Sequence, residues 1–112
     1  MRPESRKLLL DMSDAAEKIA AFTIARTEAD YLADEQLQWS VERGFEIIGE
    51  ALTQLSKLEK SVAERITDRR KIVSFRNVLI HGYSRIDNTR TWAIVQHHLP
   101  QLREELTRIL GE

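Results

Sequence analysis

Apolar residues along this chain recur at three- and four-residue intervals. Leu8, Met12, Ala15, Ile19 and Phe22 form the first such run and predict an amphipathic helix from Pro3 to about Arg26. Pro3 suits the first turn of a helix, where its missing N–H is not needed. Thr27 followed by Glu28 and Asp30 has the form of a cap with acids in a first turn, so a short second helix should hold Tyr31 and Leu32. Asp34 opens a long stripe of Leu37, Val41, Phe45, Ile48, Leu52, Leu55 and Leu58. Ser61-Val62-Ala63-Glu64 is a capping-box pattern that predicts a short turn of helix. Asp68 can cap the next helix, with Ile72, Val73, Phe75, Val78, Leu79 and Ile80 as its apolar residues. That helix should stop near Gly82, where a left-handed residue is inexpensive. Ser84 to Asn88 reads as a loop. Asp87 or Asn88 should cap a final helix carrying Trp92, Ile94, Val95, Leu99, Leu102, Leu106, Ile109 and Leu110, with Pro100 kinking or dividing it near Leu99. Strand-like alternation, repeats and linkers do not emerge, so the expectation is an all-α, up-and-down bundle of four to five helices, one domain over residues 1–112.

Composition narrows the chemistry. The chain has no cysteine, which excludes disulfides, thiolate metal sites and cysteine nucleophiles. No apolar run is long enough to span a bilayer. The stretch Met1 to Lys7 has no apolar signal core. The expectation is a soluble, cytoplasmic protein. Charged residues at 31% and hydrophobic ones at 42% agree with a helical globule. A formal net charge of −1 conceals an uneven distribution. Between Lys57 and Arg90 lie nine basic and four acidic residues, a surplus of five, which leaves −6 for the remainder. A local basic field can attract phosphate when the total is near zero.

Most candidate sites dissolve on inspection. Glu42, Glu46 and Glu50 line up at four-residue spacing, but bundle di-iron sites need a Glu-x-x-His motif, and Val78, Ile94 and Val95 stand three before the histidines. A charged face pairing with Arg43 or a neighbouring helix is the simpler reading. His97 and His98 are adjacent, point about 100° apart on a helix and read as surface residues. Phosphate-cradling glycine loops are missing. Trp39 and Trp92 read as core or interface anchors. Neither metal nor cofactor is expected.

One constellation remains, Phe75-Arg76-Asn77-Val78-Leu79-Ile80-His81-Gly82-Tyr83. Arg76 and His81 are five apart, about 140° around an ideal helix, so they flank a groove rather than share a stripe. Arg76 and Tyr83 are seven apart and share a face if the helix continues. A groove flanked in this way needs a second wall, and the helix carries apolar residues on more than one face, so a homodimer is expected. The plainer reading has Arg76 paired with Glu46 or Glu50 and His81 serving the helix C-terminus. Histidine transfers protons near neutral pH, and arginine matches a phosphate with a planar fork. The pair suits metal-free cleavage of RNA. His81 would exchange a proton with the 2′-hydroxyl or the leaving 5′-oxygen, Arg76 would stabilise phosphoryl charge, and Asn77 would hold His81 or the phosphate.

The run R-N-V-L-I-H-G-Y, with Arg76 and Asn77 followed by His81 and Tyr83, resembles the signature of HepT-like proteins in the HEPN superfamily. Arg43 to Ala51 resembles that family's R-N-x-E-I-I-G-E-A helix, and Trp92 to Val95 followed by Leu99 to Leu102 resembles its closing W-x-I-V…L-P-x-L helix. The likeness covers nearly the whole chain. Ile66 to Arg70 replaces the family's usual proline-tryptophan start, and Arg43-Gly44 replaces its Arg-Asn pair. Neither departure removes a catalytic residue. The resemblance implies a toxin of a toxin–antitoxin module, acting as a metal-independent endoribonuclease on an all-helical homodimer, with Arg76 and His81 of both protomers meeting at a cleft. It also implies a minimal nucleotidyltransferase antitoxin that adds AMP to Tyr83. A second possibility is a non-catalytic helical adaptor that binds such a nucleotidyltransferase; the intact Arg76/His81 pair favours the nuclease.

Overall fold

In a computed structural model, which describes all of residues 1–112 except the side chain of Tyr83, the chain folds into seven α-helices. These are α1 Pro3–Thr23, α2 Glu28–Leu32, α3 Glu35–Leu58, α4 Lys60–Ala63, α5 Arg69–His81, α6 Asn88–His97 and α7 Leu99–Leu110, with a 3₁₀ turn over Tyr83–Arg85. The expected four to five helices become seven because two short turns, α2 and α4, are fully formed and Pro100 separates α6 from α7. Pro100 lies in the first turn of α7, where its ring is tolerated, and His98 makes the corner.

The long helices α1 and α3 form the central pair, with α7 against α1 and α5 against α3. The α1–α3 and α1–α7 pairs run antiparallel. At one end of the α1–α3 pair Glu59 Oε1 accepts from the Arg2 backbone N–H (3.0 Å) and the buried Ser5 hydroxyl (2.6 Å). Further along, Gly44 faces Ile19 so closely that a Cβ there would meet Ile19 Cγ1 at 2.6 Å. For α1 and α7, Arg6 Nη1 donates to the Leu110 carbonyl (3.1 Å), and Arg103 clamps Glu17 through two bonds of 2.7 and 2.8 Å. Leu9, Met12 and Ile19 of α1 are fully buried with Val41, Ile48, Leu52 and Leu55 of α3 and Leu106 of α7. Each such side chain contributes about 1.5–3 kcal/mol on leaving water. Tyr31 is driven into the core against Trp92, with ring centroids 5.3 Å apart, and burial pushes its hydroxyl pKa up.

Several boundaries depart from the periodicity. The first helix stops at Thr23, not Arg26: the Thr23 hydroxyl donates back to the Ile19 carbonyl (2.8 Å), and Ala25 turns the chain with φ 61°. Thr27 caps α2 as expected, and Asp30 answers it, so that the two form a reciprocal capping box. The capping box expected at Ser61 does not form, because α4 starts two residues earlier than a Ser61 cap would place it, with Glu59 ending α3 and occupying the N-cap position of α4. Gly82 does follow the motif helix, but at φ −117° it is not left-handed. Phe22 and Trp39 are exposed, so Trp39 is no core anchor of this chain. No helix among the described residues is long and apolar enough to cross a membrane.

The carboxylates at these junctions predict an acid-sensitive fold. Glu17 is held below the usual carboxylate range by the Arg103 guanidinium, Asp30 by the Thr27 amide and hydroxyl, and Glu59 by the Ser5 hydroxyl and the Arg2 amide. Their folded values lie below the unfolded ones. The stability they contribute is therefore present above the ordinary carboxylate range and lost as pH falls through the folded values. Glu42 opposes them, since burial and then Glu46 raise its value and acid relieves it. Glu59→Gln should lower Tm at neutral pH, and its deficit against the parent should shrink as pH falls to about 3. Thermal unfolding followed by circular dichroism across pH measures this; a deficit that stays constant would contradict the linkage.

Candidate functional site

Helix α5 carries the candidate residues, and few of its side chains are buried. Leu79 is its one buried residue, and Phe75 packs edge-on against Phe45 of α3, with centroids 5.4 Å apart. Asp68 occupies the N-cap position, and its carbonyl accepts from Ile72 N–H at 2.9 Å. Its carboxylate does not cap the helix; Oδ2 lies 3.0 Å from His98 Nδ1. His98 lies at the surface as expected, with its side chain 45% exposed, and it also ties the corner between α6 and α7 to the start of α5. At the other end, the Gly82 N–H donates to the Val78 carbonyl (2.8 Å), and the Arg85 N–H to the Gly82 carbonyl (2.7 Å). Asp87 then caps α6 through the Thr89 and Arg90 amides.

Arg76 is placed by contacts on both sides of its fork. One guanidinium nitrogen donates to Glu50 Oε2 of α3, and Nη1 donates to Asn77 Oδ1 at 3.0 Å. The pairing of Arg76 with Glu50 is one of the two anticipated from the sequence. Glu50 lies below the usual carboxylate range through the Gln54 amide first and Arg76 next. Glu46 pairs with Arg43 at 3.5 Å, so these two carboxylates of the acidic row are engaged by arginines. Arg76 can stand here because of Gly49. A Cβ at that position would lie 2.3 Å from Arg76 Cβ and 2.6 Å from Cγ. Beyond a glycine in mid-helix, no local signal announces this contact in the sequence.

His81 is the last residue of α5 and is exposed. Helix α5 runs unbroken from Arg76 to His81, so the two stay about 7.5 Å apart along the axis and about 140° apart around it. Arg76 and Asn77 are brought together, and Asn77 turns to the arginine. Val78 and Ile80 of the motif are exposed apolar residues, and Leu79 anchors the helix. The condition for Arg76 and Tyr83 to share a helical face is not met, because the helix ends at His81. The side chain of Tyr83 lies outside the described residues.

An antiparallel helical bundle displaying R-x-x-x-x-H-x-Y across the end of an exposed helix defines an all-α protein of the HEPN type. The chain belongs to the Ribonuclease HepT-like family, whose model matches residues 12–109. It is similar to "Probable ribonuclease HepT" of Thermococcus cleftensis, 30% identical over 109 residues that make up 97% of this chain and 98% of that protein. It is also similar to "Gamma-glutamylcyclotransferase and putative RNase MJ0434" of Methanocaldococcus jannaschii, 31% identical over 112 residues; the chain spans only 50% of that relative's length. A third relative, "Putative RNase MJ1380" of the same organism, is 27% identical over 90% of this chain and 92% of its own. No solved structure matches the chain.

Gly49→Ala tests the close approach. Alanine favours a helix by about 1 kcal/mol over glycine, while overpacking against the Arg76 stem costs about 1–3 kcal/mol. The net expectation is a loss of up to about 2 kcal/mol in urea denaturation, with α5 displaced from α3. A stabilised variant would show that the contact relaxes without moving the helix.

Proposed function

We propose that this protein is a metal-independent endoribonuclease and the toxin of a toxin–antitoxin module. The observation that carries the reading is the Arg76 fork, fixed over Gly49 by Glu50 and Asn77, on the same helix as an exposed His81, in a HepT-like chain. In the proposed reaction the 2′-oxygen attacks the adjacent phosphorus and the P–O5′ bond breaks. A histidine takes the 2′-hydroxyl proton, and a proton is delivered to the leaving 5′-oxygen. The products are a 2′,3′-cyclic phosphate and a 5′-hydroxyl. Arg76 stabilises the charge on the phosphoryl oxygens. Because Arg76 and His81 lie on different sides of α5, the reading includes a homodimer in which a second copy completes the cleft. The exposed Val78 and Ile80 supply apolar surface for that contact.

Purified protein should cleave RNA in EDTA and leave cyclic phosphate ends. His81→Ala and Arg76→Ala should lose most activity, each on the order of a hundredfold or more. Arg76→Lys should recover little, since a point charge does not reproduce the fork. Dependence on magnesium, or 5′-phosphate products, would contradict the mechanism. Inactivity of the parent together with tight binding to a nucleotidyltransferase would favour the adaptor instead.

Regulation belongs to the same proposal. A minimal nucleotidyltransferase antitoxin would transfer AMP from a nucleoside triphosphate to the Tyr83 oxygen, releasing pyrophosphate. The added phosphodiester and adenosine would compete with RNA for Arg76. Co-expression with the cognate enzyme should give AMP-sized mass additions on the parent and none on Tyr83→Phe. Additions that persist on the phenylalanine variant would place the modification elsewhere.

A further inference from the structure

A second surface feature lies beside the candidate site. Helices α5 and α6 leave between them a groove of about 520 Å³, within the range of ligand pockets. Half-buried Phe75 and Ile94 form its apolar part, above Phe45, which is itself buried, and Arg70, Lys71 and Arg90 supply its charge. Asp68 is the one acidic residue among the described residues that line it, and its carboxylate is already engaged by His98. The groove is thus a basic recess with a partly accessible aromatic ring, Phe75. Nucleic-acid strands bind such surfaces through phosphates on the cations and bases on the rings.

The groove is continuous with the candidate site along one face of α5. Arg70, Ser74, Asn77 and His81 follow at intervals of four, three and four, and all four are exposed. They form one stripe about 16 Å long. Asn77, in this stripe, is the residue bonded to Arg76. The groove on the far side of α3 has the opposite character: Asp11, Asp14, Glu46 and Glu50 line it with only Lys18 and Arg43 as cations. A polyanion is drawn to one side of the bundle and repelled from the other.

We propose that the α5–α6 groove is a binding subsite for single-stranded RNA. It holds nucleotides flanking the scissile phosphate and leads the strand along the Arg70–Ser74–Asn77 stripe to His81. The choice of ligand rests on the ribonuclease reading above. The test separates the two by measuring binding in His81→Ala protein, which leaves the strand intact. Fluorescence anisotropy with a labelled oligouridine of about twelve nucleotides is compared for two triple variants in that background. One is Arg70→Ala/Lys71→Ala/Arg90→Ala. The other, Lys7→Ala/Lys18→Ala/Arg108→Ala, removes the same charge from exposed positions on α1 and α7. The groove variant should bind on the order of tenfold or more weakly near 0.1 M salt, and its slope of log Kd against log salt should fall by about 2. The control should change about twofold or less. Equal losses in both variants, or no RNA binding before substitution, would overturn the proposal. So would poly-glutamate displacing the RNA equally well at matched charge, because the groove would then be a general site for acidic chains. If the parent binds RNA through the groove yet cuts none, the subsite stands and the ribonuclease reading fails. If it cuts RNA while the groove variant binds undiminished, the reverse holds.

Discussion

Where α5 crosses α3 there is no room for a side chain at position 49. The Arg76 stem fills the space a Cβ would take, and this places the guanidinium within reach of Glu50, one residue further along α3. Glycine in mid-helix is destabilising by roughly 0.5–1 kcal/mol relative to alanine, so the contact is maintained against local preference. Much of the site geometry depends on it. The height of α5 on α3 fixes Arg76, the unbroken helix carries that placement to His81, and Phe75 locks the rotation against Phe45. Gly44 has a related role one face away, where α1 approaches through Ile19. The central helix is thus notched on two sides, and the neighbours seated in those notches carry the two grooves of opposite charge.

Arg76 is restrained before any ligand arrives. Its fork is bonded at two nitrogens, and its Nε is buried with no hydrogen-bond partner among the described residues. A buried donor without a partner is unfavourable, a local cost of seating the Arg76 stem in the Gly49 notch. Glu50 balances its charge meanwhile. A phosphate entering here would exchange one anionic partner for another rather than discharge a bare cation.

The sequence made the frame legible where chemistry is local. Asp34, Thr27 and Asp87 cap the helices they precede, and Pro100 divides the last stretch of helix, because each acts on backbone groups within a few residues. It misled where a side chain had a choice. Asp68 had amides at hand but turned to His98, thirty positions away, and only tertiary placement offers that partner. The box at Ser61 failed because Glu59 already sat at the junction, bonded to the first turn of α1. Among the site residues, Arg76, Asn77 and His81 stood out as polar groups in an apolar helix. Gly49 did not, since nothing within its own helix explains it. The basic segment was visible as a charge surplus, but its assembly into a groove needed the packing of α6 beside α5.

The bonds from Glu59 to Arg2 and Ser5, with the pairing of Arg65 and Glu112 (2.8 Å for its Nη1 bond), also set where the chain can be extended. Both pin an end of the described chain near the junction of α3, α4 and α5. His81 lies at the opposite end of α5, so the two ends are gathered at the pole of the bundle farther from the motif histidine. A module joined at either end would project from that pole. Such an arrangement leaves room for the additional sequence of a longer relative, of whose length this chain spans 50%. It also makes either end a suitable point for a fluorophore or tether that leaves the motif helix exposed.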